Sequence, residues 1–293
     1  MKIVVGTRGS KLALVQTNWV VDELKKANPE IEFEVKIIKT KGDLVTHLPL
    51  HKIGDKGLFT KEIEQQLLDK EIDLAIHSMK DMPSRLPEGL KFASIPKRED
   101  PRDILVLKEG YNDINDLPKG AKIGTGSKRR TYQLLKYRPD LEIVPIRGNV
   151  QTRLQKMESE NMDGIILAAA GLKRLNMESY ITDYFDPKIF LPAIGQGALG
   201  IEALHNGEYN SCLKKLDNKE VRIAVEAERG FMKELNGGCH SVIGVYSEIK
   251  DNDLYMIGTF DIGNGKIVKK DILGNKDKHI EIGIKLAKEI MKG

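Results

Sequence analysis

Cysteine is scarce: the 293 residues contain only Cys212 and Cys239. Two thiols cannot build a disulfide framework, and a reducing compartment would keep them free. Aromatic residues make up 5% of the chain, with one tryptophan, so a basic stripe interleaved with aromatics, as nucleic-acid binding would require, is missing. No segment approaches the roughly 18 apolar residues of a membrane span. The opening "MKIVVGTRGS" reaches charge and glycine after three apolar positions and lacks the apolar run of a secretory signal. The net charge of +4 is small for this length and by itself implies neither a nucleic-acid nor a membrane partner. These absences lead us to expect a cytoplasmic protein.

The length and a 40% hydrophobic content suffice for two or three cored domains. Only 12 of the 47 basic residues are arginine, yet Arg129, Arg130, Arg138, Arg147 and Arg153 fall within 25 positions. In a lysine-rich chain this points to the planar fork that binds carboxylate or phosphate through paired hydrogen bonds. The alternative is a solvated helix surface.

Apolar runs alternate with helical patterns. "KIVVG" (2–6), "FEVKIIKT" (33–40) and "IDLAIHS" (72–78) read as strands. "SKLALVQTNWVVDELKKA" (10–27), with Ser10 at its N-cap, and "TKEIEQQLLDKE" (60–71) read as helices. This rhythm predicts an α/β domain with a largely parallel sheet. "IPKREDPRD" (95–103) then marks a hinge, and a second α/β set follows in "AKIGTGS", "IVPIRGN" and "MDGIILAAAGLKRLN". Its strand-to-helix junctions place Arg129, Arg130, Arg147, Arg153 and Arg174 at the carboxyl ends of strands, where helix N-termini attract anions. A second hinge is expected near Pro192. The helix in "KEVRIAVEAERGFMKELNGG", ended by glycine, leads to three short strands, a turn at Asn264-Gly265 and a terminal helix "HIEIGIKLAKEIM".

Several motifs fail on context. "GQGALG" (195–200) fits a dinucleotide pattern but lacks the preceding strand and the later acidic residue, and "GTGSKRR" lacks P-loop spacing. Cys239 and His240 are adjacent, without zinc-ligand spacing, so no metal is expected. His77 is either a general base or a strand-end residue held by local hydrogen bonds. "HSMKDMPS" (77–84) puts Lys80 and Asp81 on a loop at the end of a strand. There a carboxylate among arginines could stabilise a cation or move a proton, or serve only as a turn residue.

Taken together, "TRGSKLAL" (7–14), "KIGDKGLFTKE" (52–62), "DLAIHSMKDMP" (73–83), "REDPRD" (98–103), "GTGSKRR" (124–130), "IRGNVQTRL" (146–154), "AAAGLKRL" (168–175), "LPAIGQGALGIE" (191–202) and "ELNGGC" (234–239) resemble, in order and spacing, the porphobilinogen deaminase family, also called hydroxymethylbilane synthase. The resemblance covers almost the whole chain. It implies two α/β domains like those of periplasmic binding proteins, joined by two hinges, and a small α+β C-terminal domain with an antiparallel sheet. The expected division is 1–97 with 197–216, then 101–193, then 219–293.

The resemblance implies a monomeric transferase of tetrapyrrole (haem) biosynthesis. It would condense four porphobilinogen molecules head to tail with release of ammonia, then hydrolyse the chain to hydroxymethylbilane. Cys239 would carry a dipyrromethane cofactor as a thioether, and Asp81 would be catalytic. Lys80, Ser127, Arg129, Arg130, Arg147 and Gly148 would bind the cofactor. Arg8, Ser10, Arg153, Arg174 and Gln196 would bind substrate and the growing oligopyrrole. Lys52 and Lys56 would belong to a cover over the site. A solute-binding module of the same architecture is the competing reading, and Cys239 separates the two, because such a module has no use for a covalent dipyrrole.

Overall fold

A computed structural model describes residues 1–44, 57–236 and 241–293. The calls on Lys52, Lys56 and Cys239 lie outside the described residues.

The first sheet follows from alternating short apolar strands and amphipathic helices. Strand β1 (Lys2–Arg8) leads into helix α1 (Lys11–Ala27), whose N-cap Ser10 accepts a hydrogen bond from the Ala13 amide as its sequence position predicts. β2 (Glu32–Ile38), the short helix α2 (Lys41–Leu44), α3 (Lys61–Leu68), β3 (Leu74–Ser78) and β4 (Leu90–Ser94) follow. The fifth strand, β10 (Leu199–Leu204), returns from much later in the chain, giving the order β2-β1-β3-β10-β4. β10 runs antiparallel to both β3 and β4. β2, β1, β3 and β4 thus run the same way and β10 is reversed, so the largely parallel expectation holds for this sheet with one antiparallel strand. β10 is an inner strand buried on both faces, and a run of that kind carries no signal of direction.

The second sheet repeats the plan. β5 (Asp103–Leu107), β6 (Lys122–Gly124), α4 (Lys128–Tyr137), β7 (Glu142–Val144), α5 (Val150–Ser159), β8 (Gly164–Ala168), α6 (Ala169–Arg174) and β9 (Asp183–Tyr184) give the order β7-β6-β8-β5-β9. β5 lies antiparallel between β8 and β9.

The chain crosses between the two sheets twice, after β4 and again before β10. The crossings lie side by side: the Glu99 amide donates to the Gly197 carbonyl (3.1 Å), and the Met79 amide donates to the Ala198 carbonyl (3.0 Å). Gly197 has φ +86°, and a Cβ there would stand 2.3 Å from the Glu99 carbonyl oxygen. Only glycine fits this contact.

After the short helix α7 (Asn210–Leu213), which buries Cys212 as an ordinary helix residue, α8 (Lys219–Glu234) enters the third unit. α8 and α9 (His279–Met291) pack on the meander β11 (Ile243–Lys250), β12 (Asp253–Asp261) and β13 (Ile267–Asn275). Phe231, Val245, Leu254, Met256, Leu286 and Ile290 share its core, each stabilising by about 1.5–3 kcal/mol. Asn264 and Gly265 both take left-handed φ, the form of the expected hairpin turn. Asn236, just beyond α8, has a left-handed φ of +49°.

Candidate active site

The site lies where the carboxyl ends of β1 and β3 face those of β6, β7 and β8. A 3₁₀ turn (Met79–Asp81) follows β3 directly and leaves the Asp81 side chain exposed. The turn is fixed from below by the fully buried Met79 and by the amide bond from residue 79 to the second crossing. Gln16 of α1 pairs its side-chain amide with the Ser78 hydroxyl (3.1 Å), steadying the strand end. A small cavity of about 30 Å³ is lined there by Arg8, Gln16, Thr60, His77, Ser78 and Asp81, among others.

Opposite Asp81 the second sheet contributes cations. Ser127 and Asn149 cap α4 and α5 by accepting hydrogen bonds from the Arg130 and Thr152 amides. Arg153, in the first turn of α5, donates from Nε to the Gly148 carbonyl (2.8 Å). Gly148 has φ +125°, and a Cβ there would meet Thr152 at 2.6 Å. Arg147 keeps its buried Nη1 without a hydrogen-bond partner, an available donor facing a region of like charge.

Crowding is recorded in the protonation equilibria. Burial lowers the Lys80 amine from 10.5 to about 8; the charges of Arg130 and Arg153 add to this, while Asp81 and Asp103 oppose it. Arg153 falls to about 10 through burial and the charges of Arg130 and Arg147, with Asp81 again opposing. Arg130 and Arg153 are thus within electrostatic reach of Lys80 and of each other, Arg147 of Arg153, and Asp81 of Lys80 and Arg153. Lys80 and these three arginines form a cationic surface matched to a polycarboxylate.

Two of the arginines, Arg129 and Arg130, are braced from behind by one carboxylate. Arg129 is buried, and its Nη1 donates to Asp103 (2.5 Å) and to the Leu191 carbonyl (2.6 Å). Arg130 is held through Nε and Nη2 on the other oxygen of Asp103 (3.0 and 2.7 Å) and donates from Nη1 to the Ile166 carbonyl. Burial pushes the Asp103 carboxyl up, but the two guanidinium groups overcome it and hold the group well below the usual carboxylate range. Asp103 is the residue that sequence reasoning missed. It stood in the quoted "REDPRD", and its signal was an acidic position opening an otherwise apolar strand. Arg138 is structural: it pairs with Asp140 (2.7 Å) and donates to the carbonyls of Ile114 and Leu117.

The candidate substrate ligands are also distributed. Arg8 grips Asp43 (2.5 Å) and lies 4.1 Å from the Phe59 ring centre. Arg174 donates to the Gly197 carbonyl (2.8 Å), and burial lowers it to about 10. Gln196, 1% exposed, donates to the Pro101 carbonyl (2.7 Å) and to Asp103 (3.0 Å). Ser10 is the α1 cap. His77 Nε2 lies 3.0 Å from a carboxylate oxygen of the fully buried Glu202.

The sequence model described as "Porphobilinogen deaminase, dipyromethane cofactor binding domain" matches residues 3–211, and that described as "Porphobilinogen deaminase, C-terminal domain" matches residues 222–292. The porphobilinogen deaminase of Clostridium perfringens (strain SM101 / Type A) is 60% identical over 291 residues, covering 99% of each chain. That of Clostridioides difficile (strain 630) is 55% identical over 294 residues, covering 100% of this chain and 98% of the relative. Among solved structures, an arginine-specific periplasmic binding protein of Salmonella typhimurium is similar with a TM-score of 0.43 and 17% identity, covering 75% of this chain and 95% of that one. Two matching sequence models that together span most of its length, and relatives at this identity, place the chain in the porphobilinogen deaminase family.

Proposed function

We propose that Lys80, Arg130, Arg147 and Arg153 bind the acetate and propionate groups of the pyrrole rings, and that Asp81 handles charge and proton at each coupling. The chain is a hydroxymethylbilane synthase, a transferase that condenses porphobilinogen with release of ammonia. The observation that carries the assignment of roles is one exposed carboxylate, Asp81, set against cations that lower each other's proton affinity.

The residues fit the dipyrromethane cofactor of the family, since Arg147 offers a buried donor without a partner and the cluster carries excess positive charge. Lys80, Arg130 and Arg147 would hold its carboxylates, with Ser127 and Gly148 shaping the helix entrances and Cys239 forming the thioether. Arg129 supports this wall through Asp103. When bound, the cofactor supplies the nucleophilic pyrrole carbon on which the chain begins.

As the C–N bond of porphobilinogen breaks, its electron pair leaves with ammonia and the pyrrole becomes cationic. Asp81 stabilises that charge through its carboxylate. After the new carbon–carbon bond forms, the ring carbon's C–H electron pair restores aromaticity, and Asp81 accepts the proton and passes it to water. Arg8, Ser10, Arg153, Arg174 and Gln196 would bind the later rings, and the roles proposed for Lys52 and Lys56 fall outside the described residues.

The proposed division is 1–97 with 197–216, 101–193 and 219–293, with the three separate sheets in its support, and the proposed state is a cytoplasmic monomer. Among the described residues no helix is long and apolar enough to cross a membrane. Substituting glutamine for both Arg147 and Arg153 tests the cleft: the porphobilinogen KM should rise at least about tenfold, since each charge-assisted hydrogen bond contributes on the order of 1.5–3 kcal/mol. An unchanged KM contradicts the assignment.

A further inference from the structure

Glu228, on α8, is fully buried and takes no part in the chemistry above. Its carboxylate nevertheless collects donors from three parts of the chain. Arg98, in the first crossing, donates from Nη1 to Oε1 (2.7 Å) and from Nη2 to Oε2 (3.2 Å). The Gly195 amide, in the second crossing, donates to Oε2 (2.7 Å), and the Ser247 hydroxyl of β11 donates to Oε1 (2.6 Å).

The network continues toward the cleft. Arg98 also donates from Nε to the Gln196 carbonyl (2.9 Å), and the Gln196 side chain reaches the Asp103 carboxylate that holds Arg129 and Arg130. A second tie runs from the Val245 amide to the Pro192 carbonyl (3.0 Å). In the other direction, α8 ends at Glu234, five residues before Cys239.

A forked arginine–carboxylate pair has fixed orientation as well as strength. Buried and saturated with donors, such a pair has few alternative arrangements. The two sheets can change their mutual angle only by turning the crossings, and both crossings are bonded to one side chain of α8. We propose that Glu228 is a positioning residue for chain elongation, keeping the helix that leads to Cys239 in register with both crossings. Movement of the sheets and placement of α8 are then one coupled adjustment. The inference rests on Cys239 as the carrier of the growing chain.

Glu228→Gln keeps the side chain's shape and removes the charge paired with Arg98. Intact mass of the holoenzyme counts pyrrole rings before and after porphobilinogen, and hydrogen exchange follows the amides of α8 and of residues 192–197 in protein without cofactor. The variant should load two rings normally, then accumulate partly extended chains. Its kcat should fall at least about tenfold while KM stays within about twofold, the pattern of misplaced rather than missing groups. Exchange should rise together in α8 and in the second crossing, and Glu228→Asp should restore part of both effects. Wild-type ring distribution and kcat would overturn the proposal, even in a protein that melts earlier. If Glu228→Gln does not fold, Arg98→Lys and Ser247→Ala take its place with the same expectation, and normal elongation in both overturns it. A wild-type protein lacking the two-ring adduct refutes the reading of Cys239 instead. The exchange data then decide alone: linked exchange supports the coupling, and independent exchange overturns it.

Discussion

Asp103 holds Arg130 by two hydrogen bonds to a single carboxylate oxygen, at 3.0 Å from Nε and 2.7 Å from Nη2, while its other oxygen takes Arg129. This buried carboxylate neutralises the wall of the cleft from behind and fixes the plane of Arg130. Asp103→Ala should therefore destabilise the protein by about 3–5 kcal/mol, because it strands two buried guanidinium groups. Denaturant unfolding measures this. A loss below about 1 kcal/mol would show that water compensates the arginines.

Asp81 is exposed and bonded to nothing else among the described groups. Asp81→Ala should keep the wild-type unfolding free energy within about 0.5 kcal/mol, as surface substitutions do. Steady-state turnover should fall by about 10²–10⁴, the range for removing a positioned proton carrier. Turnover near wild type contradicts its role.

Lys80 gives a pH dependence whose sign is fixed by its downward shift, from 10.5 to about 8. Below about pH 8 both folded and unfolded chains carry the charge, and the folded protein bears the full cost of burying it. That cost disappears as the pH rises from about 8 toward 10.5. Lys80→Met should thus stabilise protein without cofactor at neutral pH by on the order of 1–2 kcal/mol, with the gain vanishing toward pH 10.5. Bound carboxylates reverse the sign by pairing with the amine. Thermal melts with and without porphobilinogen across this range check both statements.

Gly197 sits with left-handed φ against the Glu99 carbonyl. Gly197→Ala should cost more than about 1 kcal/mol, because strain and a backbone clash combine where neither neighbour can yield. A melting temperature equal to wild type would mean that the two crossings separate easily.

Local pattern made much of this architecture legible. Ser10 announced α1, Asn264-Gly265 the hairpin, and the 3.6-residue periodicity of 279–291 marked the last helix. The reversed direction of β10 was not legible, because the strand is buried on both faces and its run reads the same either way. The site divided similarly. Asp81 and Lys80 could be placed at a strand end from sequence, and the arginines at helix entrances. Which arginines face the ligand and which brace the wall depends on partners far apart in the chain: Arg129 meets Asp103 across 26 positions, and Arg98 meets Glu228 across 130. No periodicity encodes such pairs.

The central claim is that Cys239 carries the primer on which the chain grows in front of Asp81. Intact-mass measurement of purified protein tests it most directly, with Cys239→Ala as the control. The account predicts an adduct of two pyrrole units on the wild type, none on the variant, and stepwise addition of single rings when porphobilinogen is supplied. A fully active protein with an unmodified Cys239 would contradict it.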